Sequence, residues 1–168
     1  MTSASTVSTM TTMQAQRKYL PDASATMGAG ARLAPGLAGG MVVTLSGELG
    51  AGKTTLARGL LHGLGWTGPV KSPSYTLVEH YPLSSLYFYH FDFYRFDKPG
   101  EWEDSGFAEY FRPDAICVIE WPERVRGMLA QPDLALALAY QGDGRMLSLD
   151  AATPAGKACL AAFAPPAP

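Results

Sequence analysis

The sequence GELGAGKT, residues 47–54, matches the phosphate-binding loop pattern G-x-x-x-x-G-K-S/T at every fixed position. Its glycines let the backbone approach phosphate oxygens closely, so that successive N–H groups point at the anion. A helix predicted to start at Lys53 adds the positive end of its dipole. In this pattern Lys53 reaches the β- and γ-phosphates and the hydroxyl of Thr54 binds Mg²⁺. The sequence therefore predicts a site for a nucleoside triphosphate and Mg²⁺.

Two acidic residues follow strand-like apolar segments and are candidates for the carboxylate that such a site needs. Asp92 directly follows the segment LYFYHF, and Glu120 directly follows the segment AICVI. The carboxyl ends of neighbouring strands in open α/β sheets meet at the crevice where ligands bind. Either acid would there hold Mg²⁺ directly or through water. The alternative for each is a solvated acid at a strand–loop junction.

Glu120 is followed by Trp121 and Pro122. Proline disfavours helical geometry at the residue before it. The chain is therefore predicted to leave the strand in an extended conformation, with the indole of Trp121 near the rim of the site.

Other polar residues near these motifs permit two interpretations. The segment KSPSYTLVE, residues 71–79, carries four hydroxyl groups. It either senses the γ-phosphate, as switch segments do, or forms a turn set by Pro73. His90 lies in an aromatic segment and is expected to be packed, whereas Arg95 is either a surface charge or a phosphate partner.

The elements that must position these residues follow from apolar periodicity and from turn residues. Strands are predicted at 41–46, 76–81, 86–94, 115–120, 134–140 and 145–151, with a hairpin around 142–144. Helices are predicted at 24–37, 53–65 and 154–163, with short helical turns within 102–111. The predicted fold is an α/β domain whose later strands include antiparallel neighbours.

Composition excludes several classes of protein. The 168 residues are 47% hydrophobic, which suits one globular domain with a core. A net charge of −2 argues against a strongly basic nucleic-acid surface, so any link to RNA must come through a partner. The two cysteines have no metal-site or disulfide spacing. No segment has the ~18–20 apolar residues of a membrane span, and a cytoplasmic location is predicted.

The ends of the chain differ from its middle. Residues 1–18 are rich in serine and threonine and lack the apolar region of a secretory signal. They are predicted to form a disordered extension. A single domain is predicted at 19–164, followed by a disordered tail at 165–168.

Taken in order, these motifs resemble the TsaE family, bacterial ATPases of tRNA threonylcarbamoyladenosine biosynthesis. The matching segments are GELGAGKTTLARG, KSPSYTLVE, HFDFYR and VIEWPE. The resemblance covers about residues 20–140 and is far more specific than the phosphate-binding loop alone. Ser74 departs from the family pattern, which usually has threonine there, but a hydroxyl is retained.

The resemblance implies a fold and a set of site residues. The fold is a three-layer P-loop NTPase α/β domain with a mixed, partly antiparallel central sheet. ATP would be bound by Gly47, Gly50, Ala51, Gly52, Lys53, Thr54 and Thr55, with Thr26 on the adenine side and Trp121 as a neighbour of the nucleotide. Mg²⁺ would be held by Thr54 and Glu120. Lys53, Asp92 and Glu120 would be the residues needed for hydrolysis.

The resemblance also implies a cellular role, beside two alternatives. Proteins of the family act with TsaB and TsaD, which modify an adenosine beside the tRNA anticodon, and the ATPase binds and resets that complex. Contact with tRNA would be indirect, and no membrane is involved. One alternative is a P-loop small-molecule kinase, in which Arg124 and Arg126 would serve the transferred phosphate, although no long lid segment is visible. The other is a binding module gated by ATP with negligible hydrolysis. The chain has no N-K-x-D motif, which disfavours a regulatory GTPase.

Overall fold

The computed structural model describes residues 14–98 and 100–163. The first half contains β1 (Gln14–Leu20), α1 (Ala23–Leu33), β2 (Val42–Ser46), α2 (Lys53–Gly63), β3 (Val78–Pro82) and β4 (Tyr87–Asp92). The second half contains α3 (Gly100–Asp104), β5 (Ala115–Glu120), β6 (Leu134–Gln141), β7 (Gly144–Ala151) and α4 (Pro154–Phe163). Short 3₁₀ helices occur at Ala34–Gly36, Phe107–Tyr110 and Pro122–Val125.

The strands form one seven-stranded mixed sheet in the order β1-β7-β6-β2-β5-β4-β3. The four central strands are parallel, since β2 pairs with β5 and β6, and β4 pairs with β5. The outer pairs β1–β7, β6–β7 and β3–β4 are antiparallel. The prediction of a mixed, partly antiparallel sheet with a late hairpin is confirmed.

Helices and aromatic side chains cover the two faces of the sheet and make three layers. On one face, α1, α2 and α4 pack on residues such as Val43 and Leu45. On the other, α3 and the neighbouring 3₁₀ helices pack on an aromatic cluster around Phe91 and Phe93. Strand β5 is buried at all six positions because it is covered on both faces.

Part of the predicted disordered extension is a strand of the sheet. Residues 14–20 form β1, which pairs antiparallel with β7 from Gln14 opposite Ala151 to Leu20 opposite Arg145. The strand lies at the edge of the sheet, so polar side chains facing solvent give it the composition of a disordered segment. The prediction of disorder is therefore wrong for residues 14–18. Residues 1–13 and the predicted tail at 165–168 lie outside the described residues.

The cysteines are inert parts of the core. Cys117 and Cys159 are both buried free thiols. Burial raises the pKa of Cys117 to about 12 and that of Cys159 to about 11, so neither forms a thiolate at neutral pH. Among the described residues, no helix is long and apolar enough to cross a membrane.

Candidate functional site

The glycine-rich loop joins β2 to α2 in a conformation that only glycines permit at two positions. Gly47 has a φ of 149°, and a Cβ there would lie 2.6 Å from the carbonyl oxygen of Leu138. Gly52 has a φ of 107° and is the N-cap of α2 without a side-chain hydrogen bond. The first N–H groups of a helix have no acceptor within the helix. Since no side chain caps α2, its N-terminus can receive an anion.

The side chain of Lys53 lies inside this loop. Its Nζ donates hydrogen bonds to the carbonyl oxygens of Gly47 at 2.6 Å and Glu48 at 2.9 Å. Burial lowers the pKa of Lys53, although the carboxylates of Glu120 and Asp92 oppose this shift. A bound phosphate would add negative charge next to the ammonium and so favour its charged form. The Lys53 ammonium is therefore placed to interact with an anion bound in the loop.

The Glu120 carboxylate is fixed between a hydroxyl group and an imidazole. Thr54 Oγ1 lies 3.3 Å from Oε1 and 3.2 Å from Oε2 of Glu120. His90 Nε2 lies 2.7 Å from Glu120 Oε2, and both side chains are buried. Among the described residues, His90 Nδ1 is the one buried side-chain nitrogen or oxygen atom without a hydrogen-bond partner. If Nε2 carries the proton of a neutral imidazole, it donates to the carboxylate and holds its orientation.

His90 is a residue of this site that sequence reasoning missed. It was expected only to pack within an aromatic strand, whereas it also contacts Glu120. A signal was present, because residues two apart on a strand lie on the same face. His90 and Asp92 therefore face the same side of the sheet. The same rule aligns Val118 with Glu120 on β5, and His90 is opposite Val118 in the register.

Asp92 lies beside Glu120 at the carboxyl end of the sheet, where the two residues are paired in the register of β4 and β5. The Asp92 side chain is buried, and its Oδ1 accepts a hydrogen bond from the Tyr94 N–H at 2.9 Å. Burial raises the pKa of Asp92, and the charge of Glu120 raises it further. Two neighbouring buried carboxylates repel each other, and a divalent cation would compensate their charge.

The oxygen atoms around Thr54 would suit a magnesium ion bound together with a nucleotide. Among the described residues, no group of three or more His, Cys, Asp or Glu side chains is placed to hold a metal ion by itself. Mg²⁺ typically takes one or two protein ligands and completes its shell with waters and substrate phosphates. The hydroxyl of Thr54 and the carboxylate of Glu120 are ligands of that kind.

Trp121 does not have the extended conformation predicted for it. Its φ of 58° and ψ of 51° are left-handed, and a 3₁₀ helix starts at Pro122. This conformation avoids the right-handed helical region that Pro122 disfavours, and it turns the chain sharply at the end of β5. Lys53 Nζ lies 4.4 Å from the centre of the indole ring, and the centres of the Trp121 and Tyr94 rings are 4.9 Å apart. These contacts hold the tryptophan against the loop at the cost of a strained backbone.

The remaining predicted residues surround the same loop. A cleft of about 280 Å³ is lined by Gly50, Gly52, Lys53, Thr54, Thr55, Asp92, Glu120 and Trp121, together with Ser72 and Ser74. An adjoining cavity of about 180 Å³ on the other side of the loop contains Thr26 and Ala51. Thr26 is buried there, and its hydroxyl donates to the carbonyl oxygen of Asp22 at 3.3 Å. Gly47 forms the base of the loop, where its carbonyl oxygen accepts from Lys53.

The fold and the site together define a P-loop domain. The sheet is mixed, the glycine-rich loop lies between a buried strand and a helix, and acids lie at the ends of neighbouring parallel strands. The family model described as "Threonylcarbamoyl adenosine biosynthesis protein TsaE" matches residues 20–161. The chain belongs to the TsaE family.

Similar proteins support this assignment over most of the chain. The tRNA threonylcarbamoyladenosine biosynthesis protein TsaE of Haemophilus influenzae is 42% identical over 156 residues, which are 90% of this chain and 99% of that protein. The Bacillus subtilis protein of the same name is 41% identical over 104 residues, 62% of this chain and 65% of that protein. The crystal structure of YdiB from Bacillus subtilis superimposes with a TM-score of 0.75 at 28% identity, covering 93% of this chain and 97% of YdiB.

Proposed function

We propose that this protein is a Mg²⁺-dependent ATPase that binds and resets the TsaB–TsaD complex during threonylcarbamoyl modification of the adenosine beside the tRNA anticodon. Membership of the TsaE family supports the pathway. The observation that carries the ATPase proposal is the contact between Thr54 and Glu120, at 3.2 Å, beside the phosphate-binding loop. A hydroxyl and a carboxylate at this place are the pair that a P-loop uses for Mg²⁺.

Different residues of the chain would bind ATP and orient it. The loop N–H groups, the N-terminus of α2 and the Lys53 ammonium would bind the phosphates. The indole of Trp121 would shield the ammonium from water on one side, since the ring covers Nζ. His90 would keep the Glu120 carboxylate directed at Thr54. Mg²⁺, when bound, supplies positive charge that neutralises the phosphates and favours attack by water. Asp92 would act as the second acid, beside Glu120.

The cleft favours a regulated ATPase over a metabolite kinase. Kinases usually bring an arginine to the transferred phosphate. The described residues that line the cleft include no arginine. The Arg124 guanidinium instead lies 5.8 Å from the centre of the Tyr94 ring, and Arg126 lines a separate groove beside Gln131 and Pro132. Contact with tRNA would be made through TsaB and TsaD, which agrees with the net charge of −2.

The isolated protein is expected to hydrolyse ATP slowly, and addition of TsaB and TsaD is expected to change the rate. The physical reason is that the cleft has a lysine and acids but lacks the arginine that raises turnover by roughly 10³–10⁵ in comparable enzymes. Phosphate release with Mg²⁺ and ATP, measured with and without the two partners, tests this. Rapid transfer of the phosphoryl group to a metabolite by the isolated protein would contradict the proposal and favour the kinase alternative.

A further inference from the structure

The hairpin of β6 and β7 contacts the phosphate-binding loop through two side chains. The Tyr140 hydroxyl donates to the Leu49 carbonyl oxygen at 2.8 Å. Arg145 Nε donates to the Ala51 carbonyl oxygen at 3.2 Å, and a terminal nitrogen of the same guanidinium lies 3.4 Å from the Gly50 carbonyl oxygen. Three successive carbonyl groups of the loop therefore face the hairpin.

The direction of a carbonyl group fixes the direction of the N–H group of the next residue, because in a trans peptide the two lie in one plane and point in opposite directions. The contacts to Leu49 and Ala51 therefore direct the N–H groups of Gly50 and Gly52 away from the hairpin. In the described part of the chain, neither N–H donates a hydrogen bond, whereas that of Ala51 donates to the Glu48 carbonyl oxygen at 3.1 Å. Two free donors thus point out of the loop on the side opposite the hairpin.

We infer that Tyr140 and Arg145 are positioning residues for nucleotide binding, which act by holding the loop carbonyls so that the N–H groups of Gly50 and Gly52 meet the phosphates. This inference rests on the proposed function. The two side chains also support each other, since the guanidinium lies 4.2 Å from the centre of the Tyr140 ring. They are opposite each other in the hairpin register, so both reach the loop from one cross-strand pair.

The contacts lock peptide groups whose flexibility would otherwise weaken binding. Glycines at positions 50 and 52 give the loop backbone more freedom than any other residue would. A loop that must be ordered by the ligand binds it less tightly than one that is already ordered. The hairpin is suited to this task because it is anchored in the sheet: β7 pairs with β1 as far as Arg145, and β6 pairs with β2 from Leu134 to Ala137.

Calorimetric titration of ATP with Mg²⁺ into four variants and the wild-type protein tests the inference. Tyr140→Phe removes one hydroxyl and keeps the ring, and it is expected to weaken binding about threefold. Arg145→Ala removes the contacts to two carbonyls and is expected to weaken binding about tenfold. Arg145→Lys keeps the positive charge but lacks the planar guanidinium that donates to two carbonyl oxygens, so an intermediate affinity is expected. Gln141→Ala, on an exposed residue of the same hairpin, is the matched control and should bind as the wild type does.

Amide hydrogen exchange at Gly50 and Gly52 in the ATP complex distinguishes positioning from a general structural role. We expect ATP to protect both amides in the wild type and to protect them less in Tyr140→Phe, with unchanged melting temperature. Wild-type affinity in both Tyr140→Phe and Arg145→Ala would overturn the inference. Wild-type affinity in both Arg145→Lys and Tyr140→Phe would also overturn it, because Arg145 would then act only through its charge. If the wild-type protein itself failed to bind ATP, the proposed function would fail instead.

Discussion

Lys53→Ala is expected to abolish the nucleotide-dependent function proposed for the protein. The lysine supplies the ammonium inside the loop, bonded to the Gly47 and Glu48 carbonyl oxygens and covered by Trp121. Among the described residues, no other cation lines this cleft. Loss of one preorganised donor to a transition state lowers turnover by roughly 10²–10³. We expect at least this loss in ATP hydrolysis, together with weaker ATP binding.

The matched control for this variant is Lys98→Ala. Lys98 is an exposed lysine outside the cleft, and its loss changes the net charge by the same amount. Phosphate release and ATP titration should be unchanged in this control. Circular dichroism of Lys53→Ala checks that the domain remains folded. Wild-type turnover in a folded Lys53→Ala protein would show that the loop does not bind the reacting phosphates.

Glu120→Gln is expected to remove Mg²⁺-dependent hydrolysis, with a loss of roughly 100-fold or more, while ATP binding without Mg²⁺ persists. The amide keeps the size of the side chain and its capacity to bond with His90, but it removes the negative charge that a divalent cation needs. Alanine at this position would also remove the partner of a buried imidazole, at a cost of about 1–3 kcal/mol of stability. Glutamine therefore separates the chemistry of the site from the stability of the fold.

The comparison for Glu120→Gln is Glu123→Gln. Glu123 is an exposed acid close enough to raise the pKa of Lys53, but it does not line the cleft. Turnover should depend on Mg²⁺ concentration in Glu123→Gln as it does in the wild type. Unchanged Mg²⁺-dependent turnover in Glu120→Gln would remove this carboxylate from the proposed metal site.

The part of the candidate site that depends on local sequence could be predicted as a set of neighbouring residues. The loop pattern is contained in eight consecutive residues between a strand and a helix, and each of those elements has its own apolar periodicity. The acids at 92 and 120 are candidates because each ends a buried strand, which is also a local feature. The parallel pairing of β4 and β5 then places Asp92 opposite Glu120.

The features that were missed depend on which strands become neighbours. His90 reaches Glu120 only because β4 lies beside β5, and no pattern within either segment specifies the partner. Tyr140 and Arg145 reach the loop only because β6 lies beside β2. The strand at 14–20 was missed for a related reason, since its polar residues are held in place by pairing with β7, and Leu20 is its buried core residue.

The conformation of Trp121 shows how tertiary contacts override a local preference. Proline at the next position favours an extended residue, and the sequence offered no competing signal. In the folded protein the left-handed conformation brings the indole over Lys53 and against Tyr94. Packing on these two side chains, which are remote from Trp121 in sequence, offsets the backbone strain.

Co-precipitation of the protein with TsaB and TsaD, compared with Mg²⁺–ATP, with Mg²⁺–ADP and without nucleotide, tests the proposed function most directly. We expect the recovery of the complex to depend on the nucleotide for the wild-type protein and for Lys98→Ala, and not for Lys53→Ala. Equal recovery in all three conditions, or no complex with TsaB and TsaD in any of them, would contradict the proposal that ATP bound at this loop controls the interaction.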